Sequence, residues 1–209
     1  MKTVLVTGGT KRIGAAIAKG LRERGWRVVT SSHRKDAGAD VTCDFAADPF
    51  AADKVYEEAS RLAGGRLDAI VNNAAVYAGD SGIDALSGVN MEAPRRLMAL
   101  AEANGGSVVN ILDTRVLGEA GAEMSAYEMT KAALLLLTRE YATRSRPDFR
   151  VNAVAPGPVL APENVHEKAG RLLAAKPTPE DVAAAVAFLL ETASVTGAVV
   201  PVDGGRHLL

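Results

Sequence analysis

Two side chains four residues apart could move a proton. In Tyr127-Glu128-Met129-Thr130-Lys131 a helix would set the phenol and the ammonium on one face. A free phenol titrates near pH 10, and a neighbouring cation favours the phenolate. Such a pair is a usable general acid for hydride chemistry at neutral pH. A second cluster, Thr7-Gly8-Gly9-Thr10-Lys11-Arg12-Ile13-Gly14, follows an apolar run. Gly8 and Gly9 allow a tight turn and a close backbone approach, Gly14 lets a helix pack near the strand, and free helix amides suit a pyrophosphate. Arg12 stands where such turns usually carry another glycine. A third cluster is Ser31-Ser32-His33-Arg34-Lys35. NAD sites usually place a carboxylate there, on the ribose hydroxyls. Serine hydroxyls and cations, with Lys11 and Arg12 approaching from the first turn, suit a 2′-phosphate instead. The expected cofactor is therefore NADP(H). Asp36 comes too late in its loop to serve the ribose, whereas Asp44 and Phe45 close the third strand at the adenine end.

Short β-rich runs alternate with helical stretches along the whole chain, the pattern of a parallel sheet covered on both faces. The strand candidates are 3–7, 27–31, 40–43, 69–72, 107–111, 150–154 and 198–202. Several are near-continuous apolar runs, as buried parallel strands are. Ile13, Ile17 and Leu21 keep helical spacing before Gly25, and a strongly apolar helix is predicted over 125–142. Thr178-Pro179-Glu180-Asp181 reads as a helix start: an N-cap, a first-turn proline and two acids favoured by the helix dipole. No repeat or linker divides residues 1–209, which predicts one domain.

Composition narrows the partners. With 24 Lys and Arg against 25 Asp and Glu, the net charge of −1 argues for neither nucleic acid nor an anionic membrane. The single cysteine, Cys43, allows no internal disulfide, suits a reducing compartment and reads as packing. No targeting signal is visible, and the apolar run Leu134–Leu137 is too short to span a bilayer. A cytoplasmic location is expected. His166 and His207 have no neighbours at metal-ligand spacing, so no metal is expected. Trp26 is expected to cover the edge of the first helix, and Met91, Met98, Met124 and Met129 to be core or interface filler.

Taken together, TGGTKRIG, Asn72–Ala75, Asn90, Tyr127-x-x-x-Lys131, Pro156-Gly157 and Val202-Asp203-Gly204-Gly205 resemble, in that order, the short-chain dehydrogenase/reductase family, from about Thr3 to Gly205. The resemblance implies a doubly wound, Rossmann-type α/β domain with a seven-stranded, mostly parallel sheet. It also implies roles: Tyr127 as proton donor, Lys131 on the ribose hydroxyls and lowering the tyrosine pKa, and Asn90 maintaining a water relay to Lys131. Gly8, Ile13, Gly14, Ser32, His33, Asn73, Ala74 and Ala75 would line the cofactor, with Pro156 and Gly157 closing over its nicotinamide. Where the family usually has a serine after the fifth strand, this chain has Asp113, while spacing back from Tyr127 points to Thr114. A carboxylate beside a developing oxyanion would oppose ketone reduction, but a carboxyl group can protonate a C=N nitrogen.

Within the family, the pteridine reductase and dihydromonapterin reductase branch is similar at Lys11–Gly14, His33-Arg34, Asp113 and the tail through Leu208. Tyr77 would stack on a pterin, and Arg12 would reach the bound ring. Ala75 departs from the serine common in that branch. The implied activity is NADPH-dependent reduction of a small-molecule pterin. The alternatives are a general carbonyl or 3-oxoacyl thioester reductase using Thr114, and a non-catalytic NADPH-binding sensor. The Leu134–Leu137 run exceeds what one core face requires, and in the family this helix commonly packs against its twin, so the resemblance implies a homodimer or homotetramer.

Overall fold

A computed structural model describes residues 1–48, 50–77, 83–118, 124–144, 147–160 and 170–209; His166 lies outside them. Seven strands form one sheet: β1 (Thr3–Thr7), β2 (Arg27–Ser32), β3 (Val41–Thr42), β4 (Ala69–Asn72), β5 (Gly106–Ile111), β6 (Phe149–Pro156) and β7 (Val199–Val202). Their order is β3-β2-β1-β4-β5-β6-β7. Every pairing is parallel, so the expected "mostly parallel" sheet is parallel throughout. The order reverses between β1 and β4, which opens a crevice at the carboxyl ends of these two strands.

Helices α1 (Arg12–Glu23), α2 (Ala51–Ala63), α3 (Ile83–Ser87), α4 (Ala93–Asn104), α5 (Ala126–Thr143) and α6 (Pro179–Glu191) cover the sheet. Successive strand residues point to opposite faces, and two cores follow. Val4, Val6, Val28, Val71, Val109 and Val154 pack under α1 and α6. Leu5, Val29, Ile70, Val108 and Ala153 pack under α2, α4 and α5. Trp26 is buried in the first core with Ile17 and Leu21, and its indole donates to Glu191 Oε1 at 3.4 Å. Met98 is fully buried, but Met124 and Met129 are exposed, so those two are not core. Cys43 packs against the second core, and burial pushes its thiol up to about 11.

Both predicted helix starts are capping boxes. Thr178 Oγ1 accepts from Asp181 N while Asp181 receives the Thr178 amide and hydroxyl. Ser125 and Glu128 do the same for α5, which fixes the first turn of the helix that carries Tyr127. Leu134 and Leu135 of that helix are buried, whereas Leu136 is exposed.

Candidate functional site

The Gly-rich turn is set by close packing. A Cβ on Gly14 would lie 2.1 Å from the Gly8 carbonyl oxygen and 2.6 Å from Asn73 Nδ2; any side chain there would push the turn off β4. Gly8 has φ +62° and Arg12 φ +53°, the latter alone in the left-handed region among the described non-glycine residues. That conformation is why a glycine is the usual occupant. Lys11 and Arg12 are exposed. Lys11 caps α1 without a side-chain hydrogen bond, and the first turn of α1 holds no acid. Its amides therefore face the crevice with the helix's partial positive charge, as a pyrophosphate requires.

Asn73 shapes this turn from beneath. Its Nδ2 donates to Thr7 O at 2.9 Å and Gly8 O at 3.1 Å. Thr7 Oγ1 accepts from the Asn73 and Ala74 amides, each at 3.0 Å. Asn73 thus spends its side chain on the loop. Ala74 and Ala75 continue from it, with Ala75 exposed.

After β2, Ser32 Oγ accepts from Arg34 N at 3.1 Å. His33 is exposed. The Arg34 guanidinium turns to Asp36, with Nε–Oδ1 at 3.2 Å and Nη2–Oδ2 at 2.9 Å. This pair is solvent-exposed, so solvent screens it and a phosphate can compete for the arginine. Asp44 Oδ1 accepts from Ala46 N at 2.9 Å, and Phe45 is half-buried against the second core. The residues present fit a dinucleotide carrying a 2′-phosphate.

The proton-transfer groups converge at the ends of β5 and α5. The Tyr127 hydroxyl donates to Asp113 Oδ2 at 3.3 Å, so Asp113 meets the phenol. Thr114 is buried and lies toward Gly157: its Oγ1 is 3.7 Å from where a Gly157 Cβ would stand. Lys131, 2 % exposed, donates from Nζ to Ile111 O at 2.8 Å and lies 5.9 Å from the Tyr127 ring centroid. Burial pulls its pKa down to about 8, with the Asp113 carboxylate acting in the opposite direction.

The tyrosine departs from the expectation. Burial first, then the Asp113 carboxylate, raise the Tyr127 pKa, and Arg115 opposes them. An ammonium lowers a phenol's pKa by its charge, but here desolvation and an anion 3.3 Å away outweigh it. In this state Tyr127 keeps its proton.

Asn90 sits in a π-type turn, Gly88–Glu92, that leads into α4. Its side chain accepts from Val76 N and donates to Val76 O, both at 2.9 Å, and donates to Thr130 Oγ1 at 3.1 Å. These bonds tie the segment after β4 to α5 one residue before Lys131. Tyr77, 60 % exposed, stands edge-on to Tyr127 with centroids 4.8 Å apart.

Three contributors were not singled out from sequence. Thr7 orders the β4 loop, as above. Arg115 donates from Nη1 to the Tyr77 hydroxyl at 3.0 Å. Asp203 is buried against Gly157, whose Cβ would meet Asp203 Cβ at 2.7 Å. Burial would raise Asp203, but hydrogen bonds from His207 and Gly205 hold its carboxyl below the usual range. His207 Nδ1 lies 2.9 Å from Asp203 Oδ2, so the tail is clipped beneath Pro156-Gly157. The Asp203 and His207 contacts join the two ends of a tail the sequence had marked only as similar. Among the described residues there is no cluster fit to hold a metal and no helix long and apolar enough to cross a membrane.

Comparison with known proteins bears on the fold and the cofactor. The profile of the enoyl-(acyl carrier protein) reductase family matches residues 8–207. The FixR protein of Bradyrhizobium diazoefficiens is 34 % identical over 99 % of this chain and 87 % of its own length. The FolM alternative dihydrofolate reductase 1 of Brucella canis, solved with NADP, superposes with a TM-score of 0.88 at 29 % identity, covering 100 % of this chain and 94 % of that one. A short-chain dehydrogenase of Burkholderia cenocepacia, also solved with NADP, gives 0.86 at 31 % identity over 98 % and 97 % of the two chains.

Proposed function

The chain belongs to the short-chain dehydrogenase/reductase family, and on that premise we propose that this NADP(H)-dependent oxidoreductase reduces a C=N bond of a pterin-type ring. The observation that carries the reading is the 3.3 Å hydrogen bond from the Tyr127 hydroxyl to Asp113 Oδ2. A carboxylate there would repel the oxyanion that forms when a ketone is reduced. An imine nitrogen of the ring, by contrast, is basic enough to take its proton as the hydride arrives or before, so no anion need develop beside the carboxylate. The likeness to a protein described as an alternative dihydrofolate reductase supports the same substrate class.

Bound NADPH supplies the hydride. Gly8, Lys11, Arg12, Ile13 and Gly14 hold its pyrophosphate, Ser32, His33 and Arg34 its 2′-phosphate, and Asp44 and Phe45 its adenine. Asn73, Ala74, Ala75, Pro156 and Gly157 line the remainder. Tyr127 gives its hydroxyl proton to Asp113 Oδ2 as Asp113 passes it on to the ring nitrogen, and Lys131 returns a proton to the phenolate left behind. Lys131 carries the compensating charge: at about 8 its pKa leaves the ammonium in majority at neutral pH while making its proton easy to give up. Asn90 fixes Thr130 and so the register of Lys131 under the site. Tyr77 and Arg12 flank the ring. Exposed Met129 and Leu136, two turns apart on α5, support a homodimer or homotetramer built on that helix.

Asp113→Asn keeps the size of the side chain but cannot relay a proton. It is expected to lower dihydrobiopterin turnover about a hundredfold, with NADPH titrated alongside to separate lost chemistry from lost cofactor. Undiminished turnover would refute the role of Asp113.

A further inference from the structure

We infer that Asp36 is a built-in competitor for the cofactor's 2′-phosphate: its carboxylate occupies the Arg34 guanidinium, and NADP(H) must draw that cation away from it. The inference rests on the placement of Arg34 at the 2′-phosphate proposed above. It adds a residue that sets how strongly the chain prefers NADP(H) to NAD(H). Arg34 grips Asp36 with the two donors of one edge, Nε to Oδ1 at 3.2 Å and Nη2 to Oδ2 at 2.9 Å. A guanidinium takes a phosphate by the same two-point grip, and one edge cannot serve both anions at once. A phosphate coming instead to the Nη1 end would meet a cation whose charge Asp36 already offsets. The contact with Arg34 also holds the Asp36 carboxyl below the usual carboxylate range, so the competitor is ionised at neutral pH.

The neighbouring acids do not share this role. Asp40 Oδ2 accepts from the Thr30 amide and hydroxyl, both at 2.8 Å. Asp44 Oδ1 accepts from Ala46 N at 2.9 Å and Ala47 N at 3.3 Å. Both carboxylates are spent on the strand and turn beside them, whereas Asp36 is spent on the cation that a phosphate needs.

The sign of the effect follows from which edge is used. Restraint of Arg34 by Asp36 would favour binding only if the restrained guanidinium were already available to the phosphate, and its paired edge is not. Nor does Arg34 need Asp36 to stay at the end of β2, because Ser32 Oγ already takes its amide at 3.1 Å. Both side chains are exposed, so the pair is weak enough for a phosphate to displace. After the exchange an anion remains close to the phosphate, and affinity is lower than Arg34 alone would give.

Fluorescence titration of the whole chain with NADPH and NADH tests this in the wild type, D36N, R34A and the double variant R34A/D36N. D36N should tighten NADPH about threefold or more at low salt, the range open to an exposed charge pair. NADH should stay within about twofold, since it brings no second phosphate to the contest. On the R34A background, D36N should change NADPH by less than about twofold, because the two residues act through each other. Unchanged or weaker NADPH binding in D36N, an equal gain for NADH, or an undiminished gain on the R34A background would overturn the inference. If R34A weakens NADPH and NADH alike, Arg34 does not read the 2′-phosphate, and that placement and the competitor fall together. If R34A is selective for NADPH and D36N is inert, the competitor falls alone. Asp36 is exposed, so D36N leaves the core untouched, and matching thermal unfolding curves verify that.

Discussion

Replacing Lys131 with methionine should make the nucleotide-free protein more stable near neutral pH while removing its activity. Lys131 is almost wholly buried, and burial brings its pKa from 10.5 to about 8, against the pull of Asp113. A displacement of that size corresponds to about 3 kcal/mol. The folded protein bears this cost wherever the group is charged in both states. Methionine nearly matches the stem in length, and its packing cost should stay below about 1.5 kcal/mol. It also gives up the bond to Ile111 O at 2.8 Å, worth about 1 kcal/mol. The expected net gain is about 1 kcal/mol near pH 7. Because the folded pKa lies below the unfolded one, the unfolded chain binds more protons between about 8 and 10.5. The wild type therefore recovers stability as pH rises through that window. Near its upper end the advantage of Lys131→Met should vanish or reverse. Urea unfolding followed by the fluorescence of Trp26, the single tryptophan, measures both ends of the window. A variant less stable than the wild type near pH 7, or a difference that does not change with pH, would refute the electrostatic account of the site.

Arg34→Ala should weaken NADPH roughly tenfold or more while leaving NADH within about twofold, as lost charge-assisted bonds to one phosphate require; fluorescence titration with the two nucleotides checks this, and equal losses would remove Arg34 from the 2′-phosphate site. Arg12→Gly should leave the fold at least as stable, with a gain of up to about 1 kcal/mol in thermal or urea unfolding, because φ +53° suits glycine. The same variant should bind a pterin less tightly.

The fold was largely legible because a parallel sheet buried on both faces must be written as short apolar runs. Val4-Leu5-Val6, Ala69–Asn72 and Val108-Val109 could hardly be anything else. The expected third strand shrank to Val41–Thr42, since the edge of the sheet pairs on one side only and little holds its ends. The helix start at Thr178 was readable because capping chemistry is local.

The sequence marks many of the residues that the structure brings together at the crevice, but less of the contacts each one makes. Asn73 reaches back 66 residues to Thr7, and no local spacing reveals that its amide would be spent on the turn. Arg115 bonds Tyr77 across 38 residues, with nothing in its own neighbourhood to mark it. The sign of the Tyr127 shift was missed for a different reason. Helical spacing sets an ammonium beside a phenol, but how deeply both are buried, and that Asp113 stands nearer, is a property of the assembled crevice. Arg12 shows the same division: the sequence marks it as unusual, and only the backbone angle says what the chain gives up to keep it.

The central claim is the substrate chemistry that Asp113 imposes, and it is tested most directly by the ratio of kcat/KM for dihydrobiopterin to that for an acetoacetyl thioester, with NADPH consumption as the readout. A carboxylate at the phenol predicts a preference for the pterin of at least about a hundredfold. Turnover of the thioester with the pterin left untouched would contradict it.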